Sequence, residues 1–267
     1  MATLFLMTIN EKLSLKNKVI VLTGGAGQYG RGLAAQIAEA GATLVLASRD
    51  VEALRRVAAE EEQRGYSVSA YAFDQGEEQS IRVLRDSILE KYGRIDGLVN
   101  NAVYRPAKGA ATGSGVQAWE ASMKVNGVGL YAITQLFAEQ MGAQGSGSIV
   151  NIASIYGMAG PSLSLYTGTS MGVGHGDYYF HKGGMINLTR FFAGVWGPRG
   201  VRVNCVSPGG FLAQQPKEFL EAYCRQTFLG RMAVSDDLGG PVIFLLSDAA
   251  GYVTGANLPV DGGFTAH

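Results

Sequence analysis

Short runs of apolar, often β-branched residues alternate along the chain with longer stretches whose apolar positions recur every three or four residues. The runs predict strands at 18–23, 43–47, 68–73, 96–100, 148–152, 202–206 and 257–260, since a short apolar run bounded by turn residues suits a strand covered on both faces. Helical periodicity lies between them, at 30–40, 51–64, 77–92, 115–141, 178–196 and 236–246. Strand, helix, strand repeated in this way requires right-handed crossovers and hence a parallel sheet. The pattern therefore predicts a doubly wound α/β fold with about seven parallel strands and helices on both faces.

Two segments break the rhythm. Residues 155–177 are rich in Gly, Ser and Thr, and residues 209–235 in Gln, Phe and Tyr. Each follows the carboxyl end of a predicted strand, the edge at which open α/β sheets bind ligands, so the first is expected to be a polar flap and both to wall a substrate pocket. Residues 1–14 precede the first strand; the apolar stretch from Met1 to Asn10 has no basic leader and no clear cleavage site, and reads as a packed or frayed arm. With 267 residues, 47% of them hydrophobic, the chain can bury one large core and is expected to be one domain over 1–267.

Charge and cysteine usage narrow the function classes. Lysine plus arginine equals aspartate plus glutamate at 22 each, so there is no basic field for nucleic acid. Small molecules or copies of the same chain are the expected partners. Cys205 and Cys224 make no disulfide framework and have no Cys or His at metal-ligand spacing, so no metal is expected. No apolar run approaches the ~20 residues of a membrane span, and a cytoplasmic protein is the expectation.

The chemistry begins with a turn. Thr23-Gly24-Gly25-Ala26-Gly27-Gln28-Tyr29-Gly30 follows the first strand and opens the first helix. Glycines there allow a tight turn and close approach of a pyrophosphate, while the helix N-terminus offers N–H groups and partial positive charge. At the end of the second strand, Ser48 stands where an NAD site would place an acid, and Arg49 follows; room plus a cation suits the 2′-phosphate of NADP, with NAD still possible. Far downstream, Tyr178 and Lys182 lie one helical turn apart, so the ammonium can approach the phenol and lower its pKa from about 10.

With these elements in order, the chain resembles the short-chain dehydrogenase/reductase family, from Leu15 to Gly263. The resemblance rests on the Gly turn, Asp74 after the third strand, Asn100-Asn101-Ala102 after the fourth, Asn126 in a long helix, Ser154, Tyr178 with Lys182, Asn204 followed by Pro208-Gly209, and Val260-Asp261-Gly262-Gly263. It implies a Rossmann fold, a homotetramer or dimer, and hydride exchange between a nicotinamide cofactor and a carbinol or carbonyl carbon. It further implies that Tyr178 is the acid/base, Ser154 holds the reacting oxygen, Lys182 tunes the tyrosine and binds the nicotinamide ribose, and Asn126 completes a water-linked proton relay. By the same resemblance Gly24, Gly27, Gln28, Tyr29 and Gly30 cradle the cofactor, Asp74 sits beside adenine, Asn100 and Ala102 wall the ribose, and Pro208 and Gly209 meet the nicotinamide amide.

The chain departs from the family pattern at several points. Gln28 replaces the middle glycine of the turn, Val103 follows Asn100-Asn101-Ala102 in place of glycine, and Gly210-Phe211-Leu212-Ala213 lacks the threonine usual after Pro-Gly. Ser154 and Tyr178 lie 24 positions apart, where about a dozen is usual. Tyr166 lies 12 positions after Ser154, but residue 170 is Ser170 and no lysine follows, so Tyr178 is the expected acid. The stretch Tyr166-x-Gly168-Thr169-Ser170-Met171 is similar to short-chain oxidoreductases of sugar and nonulosonic acid pathways. His181 is expected to pack, and His175 is a weaker candidate for substrate contact. The leading expectation is an NADP-dependent dehydrogenase or reductase on a polar, sugar-derived alcohol or ketone. The alternatives are a non-catalytic NAD(P)-binding sensor or scaffold, and an epimerase or dehydratase on a sugar.

Overall fold

In the computed structural model of the chain, residues 7–105 and 115–267 are described. They run in the order α1 (Ile9–Leu13), β1 (Val19–Thr23), α2 (Gln28–Glu39), β2 (Thr43–Ser48), α3 (Val51–Gln63), β3 (Val68–Ala72), α4 (Glu78–Tyr92), β4 (Gly97–Asn100), α5 (Val116–Met123), a π-helical segment (Lys124–Gly129) and α6 (Leu130–Gln144). Then come β5 (Gly147–Ile152), two 3-10 turns (Ile155–Gly157 and Leu163–Tyr166), α7 (Gly176–Trp196), β6 (Val201–Pro208), α8 (Lys217–Gln226), α9 (Gly239–Leu246) and β7 (Asn257–Val260). All seven strands anticipated from the pattern are present.

The strands form one sheet in the order β3-β2-β1-β4-β5-β6-β7, and each pairing is parallel. Successive strand side chains point to opposite faces, and both faces are covered. Ile20 and Leu22 of β1, with Leu44 and Leu46 of β2, pack beneath α2, α3 and α9. Val19, Val21, Val45 and Ala47 pack against α4, α6 and α7 on the other side. Double coverage explains why these strands read as unbroken apolar runs.

The chain moves outward from β1 through β2 to β3 and then returns to place β4 on the other side of β1. This reversal opens a crevice above the carboxyl ends of β1 and β4, the usual ligand position in doubly wound sheets. The Gly-rich turn follows β1 and Asn101-Ala102 follows β4, so the topology sets the two motifs against each other.

Three elements differ from expectation. Residues 9–13 form a short helix because Thr8 and Glu11 make a reciprocal capping box. The single helix expected over 115–141 is divided by the π-helical segment, which carries Asn126; π-segments often mark functional positions. Within 209–235, α8 forms behind Pro216 and buries Phe219 and Tyr223.

Candidate active site

The turn after β1 is shaped by close approach. Gly24 adopts φ +69°, a left-handed conformation that favours glycine, and a Cβ at residue 30 would stand 2.2 Å from the Gly24 carbonyl oxygen. Gly27 caps α2 without a side-chain hydrogen bond, which leaves the helix N-terminus available to an anionic group. Gln28 is the first residue of α2 and its side chain is exposed, so it crowds no backbone. Thr23 and Asn101 join the turn to β4. The Thr23 hydroxyl accepts from the N–H groups of Asn101 at 3.1 Å and Ala102 at 3.0 Å, and the Asn101 amide donates to the Thr23 and Gly24 carbonyls at 3.0 Å each. Tyr29 crosses to the end of β6, where its hydroxyl donates to the Gly209 carbonyl at 2.7 Å.

The remaining cofactor candidates are distributed around this crevice. Ser48 ends β2 and donates to the Asp50 carbonyl at 3.1 Å, with an exposed Arg49 beside it. Asp74 Oδ1 accepts from the Gly76 N–H at 2.8 Å, a local turn just ahead of α4. Asn100 is buried, and its amide donates to Asn151 at 2.8 Å and Thr134 at 3.0 Å. Its amide nitrogen thus serves the core between β4, β5 and α6, while its buried Oδ1 has no hydrogen-bond partner among the described residues. Gly209 follows Pro208 at the end of β6, and a Cβ there would meet the Tyr223 hydroxyl at 2.9 Å and Asp261 Cα at 3.0 Å. Taken together, a glycine cradle, an uncapped helix N-terminus and an exposed cation at the end of β2 suit a nicotinamide dinucleotide.

The proton-handling candidates meet at the end of β5. Ser154 stands just beyond that strand, where its hydroxyl accepts from the Tyr156 N–H at 3.2 Å. Tyr178 and Lys182 project from α7, and the Lys182 ammonium lies 5.7 Å from the centroid of the Tyr178 ring. Lys182 is 4% exposed and donates to the Ile152 carbonyl at 2.6 Å. Burial lowers its pKa, partly offset by Tyr178. Burial alone would raise the Tyr178 pKa, but the Lys182 and Arg105 charges, with hydrogen bonds from Ser154 and Arg105, outweigh it, so the phenol is held below its ordinary value.

Arg105 was not legible as a site residue in the sequence. Its guanidinium donates to the Tyr178 hydroxyl at 3.0 Å and its carbon lies 4.6 Å from the ring centroid. The available signal was a cation five residues beyond a strand that ends at the crevice. Tyr166, the rival tyrosine, bonds to the Tyr156 hydroxyl at 2.8 Å and lies against Phe219.

Behind Lys182, Asn126 takes an unexpected job. Its Oδ1 accepts from the Tyr104 N–H and its Nδ2 donates to the Tyr104 carbonyl, both at 2.8 Å. A cavity of about 10 Å³ lies among Gln75, Asn126, His181 and Lys182, a size on the scale of one water. The buried Gln75 Oε1 lacks a hydrogen-bond partner among the described residues and belongs to the same lining. His181 is buried as expected, with a polar partner: its Nε2 lies 2.9 Å from the Ser122 hydroxyl, which also bonds Asp177 and Asn126. Burial lowers the His181 pKa, opposed by the Asp177 carboxylate. His175 precedes α7 and its carbonyl accepts from the Tyr178 N–H at 3.1 Å.

Residues 155–177 lie against α8. Ile155 and Leu165 are buried with Phe219, Tyr223, Met232 and Phe264 in a small separate core, while the other residues of 156–176 are exposed or half-buried. Polar contacts lie at its margin, where Gln226 donates to Ser162 at 2.9 Å and Ser164 at 3.1 Å. A cavity of about 470 Å³ opens behind Gly209, between Tyr223, Leu229, Arg231, Val260 and Gly263, and is lined by none of Ser154, Tyr178 and Lys182.

Comparison with known proteins agrees with this geometry. The family profile described as Enoyl-(Acyl carrier protein) reductase matches residues 26–265. The chain is 32% identical over 257 residues to the 3-oxoacyl-[acyl-carrier-protein] reductase of Thermotoga maritima, covering 94% of this chain and 99% of that protein. It is 32% identical over 259 residues to the 7alpha-hydroxysteroid dehydrogenase of Bacteroides fragilis, covering 94% and 96%. Among solved structures, a gluconate 5-dehydrogenase from Burkholderia cenocepacia in complex with NADP and tartrate matches with a TM-score of 0.87 at 29% identity, over 97% of this chain and 100% of that one. An NAD+-bound xylitol dehydrogenase matches with a TM-score of 0.83 at 27% identity, over 93% and 99%. Agreement along almost the whole length with reductases and dehydrogenases places the chain in the short-chain dehydrogenase/reductase family, as an NAD(P)-dependent oxidoreductase of secondary alcohols and ketones.

Proposed function

We propose that this protein is an NADP-dependent dehydrogenase or carbonyl reductase acting on a polar, sugar-derived substrate. The observation that carries the reading is the Tyr178 phenol, held below its ordinary pKa by Lys182 and Arg105 with Ser154 within bonding reach. In reduction, the Tyr178 hydroxyl gives its proton to the carbonyl oxygen while Ser154 donates a hydrogen bond to the same oxygen. The phenolate left behind is stabilised by the two cations. Oxidation runs in reverse, with the phenolate taking the alcohol proton. When bound, the nicotinamide supplies or accepts the hydride. The Lys182 ammonium, with a water held in the cavity that it shares with Asn126 and Gln75, provides the route by which a proton returns to Tyr178.

Ser48 and Arg49 support NADP over NAD, since the serine leaves room and the arginine brings charge for a 2′-phosphate. The NADP held by the gluconate 5-dehydrogenase relative supports the same choice and the sugar-derived substrate class. Phe180 and Phe191 on α7 are more than half exposed, which supports pairing of copies through this helix as a dimer or tetramer. No described helix is long and apolar enough to cross a membrane, and free cysteines support a reducing, cytoplasmic setting.

The test is a screen of sugar acids, ketoses and cyclic polyols with both cofactors, followed at the reduced-nicotinamide absorbance. The wild type should turn over a member of the panel with NADP(H), and Tyr178→Phe should lose about 10²–10⁴-fold in rate with NADP affinity retained. Rates within tenfold of wild type in Tyr178→Phe would overturn the assignment.

A further inference from the structure

Beside Tyr178 stands a second cation that proton return through Lys182 does not require. Among the described residues, the Arg105 side chain hydrogen-bonds to Tyr178 and lies over its ring, and no carboxylate pairs with it. A guanidinium carries five N–H donors in a fixed fork, so one bond to a phenol leaves the others of this exposed side chain to meet whatever lies against Tyr178. The segment presenting Arg105 is held in place, since both backbone polar groups of Tyr104 bond to the Asn126 side chain at 2.8 Å. The Asp177 carboxylate, one residue before the tyrosine, is engaged by Ser122. Two cations, Lys182 and Arg105, lie at the Tyr178 ring, 5.7 and 4.6 Å from its centroid.

We propose that Arg105 binds an oxyanion carried by the substrate, a carboxylate or a phosphate ester on a carbon within about three bonds of the reacting one. The substrates are then hydroxy-acid and keto-acid couples or their phosphorylated counterparts. This deepens the proposed function and rests on Tyr178 as the site of proton transfer. Distance sets the reach. The reacting oxygen lies about 3 Å from the Tyr178 hydroxyl during proton transfer, and the Arg105 nitrogen is 3.0 Å from that hydroxyl. An anion near the reacting carbon falls within the fork's range, whereas one at the far end of a long chain does not. The planar fork also matches two oxygens at once, which a lysine cannot do.

The experiment compares matched substrates: a hydroxy acid, its neutral amide and the corresponding phosphate ester, with wild type, Arg105→Gln and Arg105→Lys. Wild type should prefer one of the two anions over the amide at least tenfold in kcat/KM, and the preferred anion identifies the source. Arg105→Gln should bring that ratio close to one, with Arg105→Lys between. Taking the ratio cancels any general effect of losing Arg105 from Tyr178. Calorimetric titration with malonate and with inorganic phosphate, non-reacting probes, should show at least tenfold weaker binding of one of them in Arg105→Gln. Equal use of amide and anions by wild type, or unchanged discrimination and affinity in Arg105→Gln, overturns the inference. If neutral alcohols turn over with full dependence on Tyr178 and no anion preference, the proton-transfer reading stands and this one falls. If Tyr178→Phe keeps its rate, that reading falls, and the titration alone decides for Arg105.

Discussion

Tyr29 ties the glycine turn to the far edge of the crevice: its hydroxyl donates to the Gly209 carbonyl at 2.7 Å while its ring meets Phe211 edge-on at 4.8 Å. Burial raises its pKa, so the phenol stays a donor. Tyr29→Phe keeps the ring and removes the bond, at a cost of about 1 kcal/mol. The melting temperature should fall by roughly 2–4 °C, and NADP should bind several-fold more weakly because Gly209 is released. Unchanged melting and affinity would show that the bond contributes nothing to the crevice.

The pH dependence of turnover follows from Tyr178. Burial acts to raise its pKa, the two cations and the hydrogen bonds act to lower it, and the lowering prevails. Alcohol oxidation requires the phenolate, so kcat/KM in that direction should rise with pH and level off above an inflection lying below the ordinary value of about 10. Carbonyl reduction requires the phenol and should fall through the same inflection. Removing a cation withdraws stabilisation from the phenolate, so Arg105→Gln and Lys182→Ala should each move the inflection upward. An inflection that stays in place in Arg105→Gln contradicts the electrostatic role.

Two glycines of the turn should respond differently to alanine. A Cβ at residue 30 meets backbone atoms, the Gly24 oxygen at 2.2 Å and the Gly25 carbonyl carbon at 2.8 Å, and neither can swing aside. Gly30→Ala should cost about 1–3 kcal/mol and weaken NADP binding. At residue 27 the sole neighbour is the Gly24 oxygen at 3.4 Å, so Gly27→Ala should leave stability within about 0.5 kcal/mol of wild type. Equal melting curves for the two variants would refute the distinction.

Cofactor choice is expected to follow the end of β2. Ser48→Asp places a carboxylate where the 2′-phosphate would lie and gives a ribose hydroxyl an acceptor, so the kcat/KM preference should swing from NADP toward NAD. A wild type that already favours NAD in steady-state kinetics would remove the basis for this reading.

Much of the framework was legible because its causes are local or periodic. Val19–Thr23 and Thr43–Ser48 are apolar at nearly every position, which a doubly covered parallel strand demands. The relation of Tyr178 to Lys182 follows from helical geometry alone. The cap at Thr8 and Glu11 is local too, a Thr-x-x-Glu pattern present in the chain. The helix Lys217–Gln226 was readable in the same way, since Phe219, Leu220 and Tyr223 fall on one side of it, whereas the partners of that side, Leu165 and Phe264, lie far away in the chain.

The sequence by itself determined the strand and helix order, the parallel sheet that this order imposes, and the candidates that the turn, Ser154, Tyr178 and Lys182 supply. Hydrophobic periodicity and helical spacing act over a few residues, and those residues are present in the chain to be read. Only the tertiary structure decided that Asn126 grips Tyr104, that Asn100 turns its amide into the core, and that Arg105 reaches Tyr178 across 73 positions of chain. Such contacts arise where separate elements cross at the carboxyl edge of the sheet. Their partners are set by packing of the two faces, and no periodic pattern along the chain encodes them.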